Sequence, residues 1–118
     1  SAAAMAAGMT AHLQGGTPQQ ICDAAAIALK SFLGLTCDPV GGLVEVPCIK
    51  RNAAAAEAAV SACDMVMAGI KSAIPADEVI EAMNEIGHDM PEKYKETAQG
   101  GLAVTESAVR KTRPRTRI

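Results

Sequence analysis

The stretch Leu33–Asn52 limits what this chain can fold into more than any other, because it is the only long segment that cannot be helical. Gly34, Pro39, Gly41, Gly42 and Pro47 interrupt any 3.6-residue pattern. A loop of that length inside a compact domain is uncommon and usually functional. Pro47 suits the first turn of a helix, where its missing N–H is not needed, so Cys48 falls at the N-terminus of the alanine-rich helix that follows. The helix dipole and the first-turn N–H groups favour a thiolate there, the form that binds metal. Cys37 lies before it with ten residues between the two.

Around that loop the pattern is helical. Ala2–Leu13 is a helix of small residues closed by Gly15-Gly16, with Ala4, Gly8 and Ala11 or His12 on a close-packing ridge. It carries no charge and no convincing N-cap, which predicts burial between other helices and a chain cut from something longer. Thr17-Pro18-Gln19-Gln20 is a capping box with proline at the first helical position. Ile21, Ala25, Ala28, Leu29 and Phe32 form the apolar face of this second helix, which Gly34 ends. The helix from Pro47 to Gly69 or Ile70 has one narrow polar stripe, Glu57, Ser61, Asp64 and Lys71, and is expected in the middle of a bundle, with Val60 and Val66 buried. A fourth helix, Ala76–Ile86, turns Val79, Ile80, Met83 and Ile86 inward and stops at Gly87. A short fifth runs from Asp89 to about Ala98. The expected fold is all-α: a bundle of about five helices with a central Ala-rich helix and a long Gly/Pro loop.

Phe32 and Tyr94 are the only aromatic residues. Alanine methyls bury little area, so stability is expected to depend on neighbouring domains or subunits. All 13 acidic residues precede Arg110, whereas five of the 11 basic ones fall in Arg110–Arg117. The body is therefore acidic, which argues against nucleic acid. Residues 1–109 are expected to fold as one domain, and 110–118 to form a disordered basic tail. Four cysteines without a secretory pattern indicate a reducing compartment, and no apolar run is long enough to span a bilayer. A cytoplasmic protein with no membrane partner is expected.

By spacing alone, C-x10-C matches neither the short zinc patterns nor the ferredoxin ones, and ligand and structural roles both stay open. Cys22 reads as a small buried hydrophobe. Cys63 lies about 22 Å along the helix from Cys48, at 1.5 Å per residue, too far to share a metal. His12 and His88 read as structural. Gly41-Gly42 and the N–H groups after Pro47 suit either an anionic carboxylate or simple turn geometry. Besides an enzyme, two readings remain: a non-catalytic helical domain completing another chain, and a zinc site of Cys37, Cys48 and a histidine.

Gly34-Leu35-Thr36-Cys37-Asp38-Pro39-Val40-Gly41-Gly42-Leu43-Val44, Val46-Pro47-Cys48-Ile49 and Arg51-Asn52-Ala53 together resemble the cluster-binding segment of the iron–sulfur-dependent L-serine dehydratases, or L-serine deaminases. Lys93-Tyr94-Lys95-Glu96-Thr97 and Gly100-Gly101-Leu102-Ala103 make a second block of the same resemblance, in the same order. It spans about Ala2 to Val104 and implies the C-terminal part of the alpha domain or alpha subunit. It also implies that Cys37 and Cys48 are ligands of a [4Fe–4S] cluster whose third cysteine lies upstream, outside this chain. The implied reaction converts L-serine to pyruvate and ammonia by β-elimination of water, with iron as Lewis acid. Gly41, Gly42, Lys95, Gly100 and Gly101 are the implied substrate-side residues, while no residue stands out as the general base. The implied partners are the rest of the alpha domain, a beta domain or beta subunit, and further copies in a homo-oligomer. An isolated chain would be inactive.

Overall fold

The computed structural model describes residues 1–112 and is all-α, with no strand among them. Its α-helices are α1 (Ala2–Leu13), α2 (Pro18–Lys30), α3 (Cys48–Met67), α4 (Ala76–Asp89) and α5 (Glu106–Thr112). Short 3-10 turns occupy Val40–Gly42, Glu92–Tyr94 and Gly101–Val104. No helix of the described residues is long and apolar enough to cross a membrane.

The chain forms two compact units that interleave in sequence. One comprises Ser1–Gly34 and Asn52–Asp89; the other comprises Leu35–Arg51 and the segment from Met90 onward. In the helical unit, the Thr17 hydroxyl accepts the Gln20 N–H at 3.3 Å and the Gln20 side chain accepts the Thr17 N–H at 2.9 Å, so α2 starts on the predicted capping box. Ala3, Ala7, Gly8 and Ala11 form the buried face of α1, and Gly8 faces Ile21 and Ala25 of α2.

The central helix is α2, not the alanine-rich α3. Ala24, Ile27 and Ala28 of α2 join Ala7 and Ala11 of α1 and Ala59, Ala62, Cys63 and Val66 of α3 in one core cluster. Ala26 and Leu29 on another side of α2 join Val79 of α4 in a second. By contrast, α3 buries only the stripe Ala59, Ala62, Cys63 and Val66, and Val60 is 51% exposed. The sequence expectation failed because an alanine methyl changes free energy little on burial, about 0.8 kcal/mol per methyl-sized group, so an alanine-rich surface reads as apolar whether covered or not.

Other expectations change for related reasons. The charge-free α1 is buried on one side only, with Met5, Met9 and Leu13 exposed on the other. In α4, Val79 is buried and Met83 partly so, while Ile80 is 50% and Ile86 38% exposed. Gly87 stays within α4, which ends instead just before Met90-Pro91, where proline disfavours helix in the preceding residue. In place of a fifth helix over 89–98 there is a single 3-10 turn, followed by Glu96 and Ala98 at φ 65° and 55°. Of the basic tail, Arg110–Thr112 are part of α5, and 113–118 lie outside the described residues.

Candidate metal centre

The loop closes on itself before it presents its cysteines. Val40 N–H donates to Val46 O at 2.9 Å and Gly42 N–H to Pro39 O at 3.2 Å, folding 39–46 into a compact double turn. The Val46–Pro47 peptide is cis. Cys48 is the first residue of α3, as predicted. Of the first-turn donors, Ile49 N–H already reaches Glu45 O at 3.0 Å and Lys50 N–H reaches Pro47 O at 3.1 Å. Those N–H groups hold the turn and do not face outward for an anion.

Cys37 is fixed by the second motif block. Its N–H donates to Tyr94 O at 2.8 Å, and its carbonyl accepts the Glu96 N–H at 2.7 Å, a parallel bridge between Cys37 and Lys95. Both backbone groups of this cysteine are thereby satisfied by a segment more than fifty residues away in sequence. The left-handed φ of 65° at Glu96 is part of that geometry, a conformation a non-glycine residue adopts only where its surroundings hold it.

Asp38 and Arg51 complete the frame. The Arg51 guanidinium Nη1 donates to Thr36 O at 2.8 Å and to Asp38 Oδ1 at 2.7 Å, so it grips the residues on either side of Cys37. The other oxygen, Asp38 Oδ2, accepts the Leu102 N–H at 2.7 Å. Asp38 is 3% exposed, and every element that matters here converges on it: the cysteine loop, the first turn of α3, and the Gly100-Gly101 block. Neither residue was singled out from sequence as part of the site. A readable signal existed in Arg51, since a cation in the first turn of a helix opposes the dipole unless it has a partner.

Electrostatics follow the geometry. Burial pushes the Asp38 pKa up, but the Leu102 N–H and the Arg51 guanidinium outweigh it and hold the carboxyl below its ordinary range. The Cys37 thiol is pushed up by burial, and further by the charges of Glu96, Cys48 and Asp38, with Arg51 pulling the other way. Cys48 is thus near enough for its charge to be felt at Cys37. Both are free and half-buried. Two soft thiols on one hydrogen-bonded frame suit iron–sulfur or zinc ligation. Yet among the described residues no group of three or more His, Cys, Asp or Glu is placed to hold a metal. The zinc arrangement with a histidine is therefore not assembled, and the two thiols fit as part of a ligand set only. Exposed His12 and His88 belong to the other unit.

The remaining cysteines divide differently from expectation. Cys63 is fully buried in the core, and burial pushes its thiol pKa up, with Asp64 adding to it. Cys22 is exposed, contrary to its reading as a buried hydrophobe, although Ala26 and Leu29, four and seven residues further along the same face of α2, are buried.

The glycines named from sequence have structural duties. Gly41 is at φ 66° with its missing Cβ facing Thr112, while Gly42, at φ 72°, is open to solvent. A Cβ on Gly100 would come within 2.8 Å of Lys93 O, and one on Gly101, at φ 59°, would overlap the Asp38 carboxylate. Lys95 pairs with Glu92 at 3.3 Å, and Lys93 lies over the Tyr94 ring at 5.0 Å. Gly100→Ala is accordingly expected to destabilise the chain by about 2 kcal/mol through forced backbone movement, and Gly42→Ala by about 1 kcal/mol through its φ alone. Urea titration of the two variants measures the difference; equal midpoints would refute the close-approach argument.

Comparison with known proteins bears on this frame. Residues 1–103 match the family described as serine dehydratase alpha chain. The match takes in the body of the chain and leaves out residues 104–118. The probable L-serine dehydratase alpha chain of Bacillus subtilis is 59% identical over 105 residues, covering 89% of this chain and 35% of the relative. The corresponding alpha chain of Latilactobacillus sakei is 50% identical over 109 residues, covering 92% and 52%. The L-serine dehydratase of Streptomyces coelicolor is 56% identical over 105 residues, covering 88% and 23%. The chain thus spans from about a quarter to half of the length of these relatives.

Proposed function

We propose, on the premise that this chain belongs to the serine dehydratase alpha chain family, that it supplies two cysteine ligands of an iron–sulfur L-serine dehydratase. The observation that carries the reading is the bracing of Cys37 by Tyr94, Glu96 and the Arg51 clamp, which ties both halves of the family motif to one thiol. Cys37 and Cys48 hold a [4Fe–4S] cluster, and a third cysteine comes from outside these 118 residues. When bound, the cluster supplies Lewis acidity that assists loss of the substrate hydroxyl.

This chain's own part is to hold and orient. The Asp38–Arg51 pair and the Cys37–Lys95 bridge fix the first thiol, and the turn from Glu45 to Arg51 fixes the second. Gly41, Gly42, Lys95, Gly100 and Gly101 line the side from which L-serine approaches. The remaining alpha domain, a beta domain or subunit and further copies in a homo-oligomer complete a cytoplasmic enzyme that yields pyruvate and ammonia. The exposed Met5, Met9, Leu13 and Val60 support the reading that the chain completes a larger assembly.

Complete enzyme purified anaerobically is expected to contain stoichiometric iron and sulfide and to lose pyruvate formation when these are removed. The isolated chain, with two of the ligands, is expected to retain neither. Activity in an iron-free, zinc-loaded enzyme would overturn the cluster. A full cluster and turnover in the isolated chain would overturn the need for an outside ligand.

A further inference from the structure

We propose that the cleft between the start of α2 and the end of α3 binds a small zwitterionic α-amino acid, with its ammonium on Asp23 and its carboxylate on Lys71. The cleft has a volume of about 380 Å³, within the range of roughly 300–1,000 Å³ usual for small-ligand sites. All of its lining belongs to the helical unit, so the assignment does not rest on the metal centre.

The reason to expect a ligand is Asp23. It is 5% exposed, and a carboxylate so buried is ordinarily paired with a cation or fully hydrogen-bonded. Oδ1 accepts one bond, at 3.1 Å from the neutral Gln19 amide, and no ion pair reaches Asp23 among the described residues. Oδ2 accepts no hydrogen bond from them. Since no fully enclosed side-chain oxygen among them lacks a partner, Oδ2 opens into the cleft.

The neighbouring amides are engaged elsewhere. The Gln20 amide is occupied at both ends, its Nε2 donating to Val66 O at 3.0 Å and its Oε1 accepting the Thr17 N–H. At the other wall α3 ends in a Schellman cap, with Gly69 at φ 91°, Gly69 N–H on Val66 O and Ile70 N–H on Met65 O, each at 3.0 Å. The carbonyl end of a helix adds negative potential, which again suits a cation. Lys71, two residues past the cap, is exposed at the rim and forms no ion pair with the described residues. A negative floor and a positive rim complement an ammonium and a carboxylate held on one carbon, whereas a simple cation or a simple anion matches only half of the cleft.

The test is titration of the ¹⁵N-labelled 118-residue chain with L-alanine, which carries both charges but no hydroxyl to eliminate. L-lactate, without the ammonium, and ethylamine, without the carboxylate, are the controls. L-Alanine is expected to give saturable shifts at the Gln19, Asp23 and Lys71 amides and none at Cys37. Each control, and each of the variants Asp23→Asn and Lys71→Gln, is expected to weaken binding about tenfold or more. Asp23→Asn keeps an oxygen for Gln19, and Lys71→Gln alters an exposed residue, so both should fold; if the first does not, the second decides. Absence of saturable shifts up to tens of millimolar overturns the site, as does equal binding of a control or undiminished binding by Lys71→Gln. So does equal loss of thermal stability in the two variants without any binding, which would make Lys71 the internal partner of Asp23.

Discussion

Cys37→Ala or Cys48→Ala in the complete enzyme is expected to abolish serine deamination, by three orders of magnitude or more on the order of known losses of essential groups, and to bleach the visible absorbance of the cluster. Cys22→Ala and Cys63→Ala are expected to keep both. A methyl group cannot replace a thiolate ligand, and neither remaining cysteine can substitute. Cys63 sits on the same continuous helix as Cys48, about 22 Å away at 1.5 Å per residue. Cys22 takes no part in the hydrogen-bonded frame that holds Cys37 and Cys48. The controls carry their own contrast: buried Cys63→Ala should cost about 1–2 kcal/mol in the core, exposed Cys22→Ala next to nothing. Iron content, absorbance and pyruvate formation measured on the four variants check all of this, and full activity of the Cys37 variant would remove the proposed function.

Asp38→Ala is expected to destabilise the thiol-bearing unit by about 3 kcal/mol, the lower end of what removing one partner of a buried ion pair costs, because Arg51 remains 30% exposed and can reach water. Arg51→Lys should keep only part of the stability that the pair supplies, since the shorter side chain must bring its ammonium to where Nη1 meets both Thr36 O and Asp38 Oδ1. The pH dependence has a definite sign. The folded Asp38 carboxyl titrates below its unfolded value, so its contribution is complete above an unfolded pKa of about 3.9 and disappears as pH falls through the folded one. Wild-type chain should therefore lose stability in acid below about pH 4, and Asp38→Asn should lose less over the same window. Urea midpoints and amide exchange at Cys37, Glu96 and Leu102 report it. A flat difference between wild type and Asp38→Asn across that window would show that the carboxylate does not hold the loop.

Helix positions were legible wherever a side chain or a ring dictates the backbone. Thr17, Pro18 and Gln20 start α2 as expected, Pro47 precedes α3, and Ala2–Leu13 is a helix over the predicted range. Helix roles were not, because role depends on which methyl groups are covered. Alanines of α3 that look identical in sequence are exposed at 53, 54 and 56 and buried at 59 and 62, whereas α2 hides the charged Asp23. In the candidate site, the two thiols and the two motif blocks were readable, and the structure joins them through Cys37 and Lys95. The Asp38–Arg51 clamp was not read, although both residues stood within the quoted motif. An aspartate in a Pro/Gly loop usually signals a turn, and only the three-dimensional path brings Leu102 N–H to its second oxygen.

The interleaving of the two units sets an order of events in folding. The thiol-bearing unit is assembled from two segments separated by the whole of residues 52–89, and its Asp38–Leu102 bond spans 64 positions. Closing so long a loop costs entropy before any contact within it repays the cost, whereas α1 and α2 are neighbours that pair across a tight turn. Pairing of α1 with α2 is therefore expected to come early, and the bonds from Tyr94, Glu96 and Leu102 to the cysteine loop late. During synthesis, Cys37 and Cys48 leave the ribosome well before Tyr94, Glu96 and Leu102 exist to hold them, so there is an interval in which both thiols are unrestrained and vulnerable to oxidation.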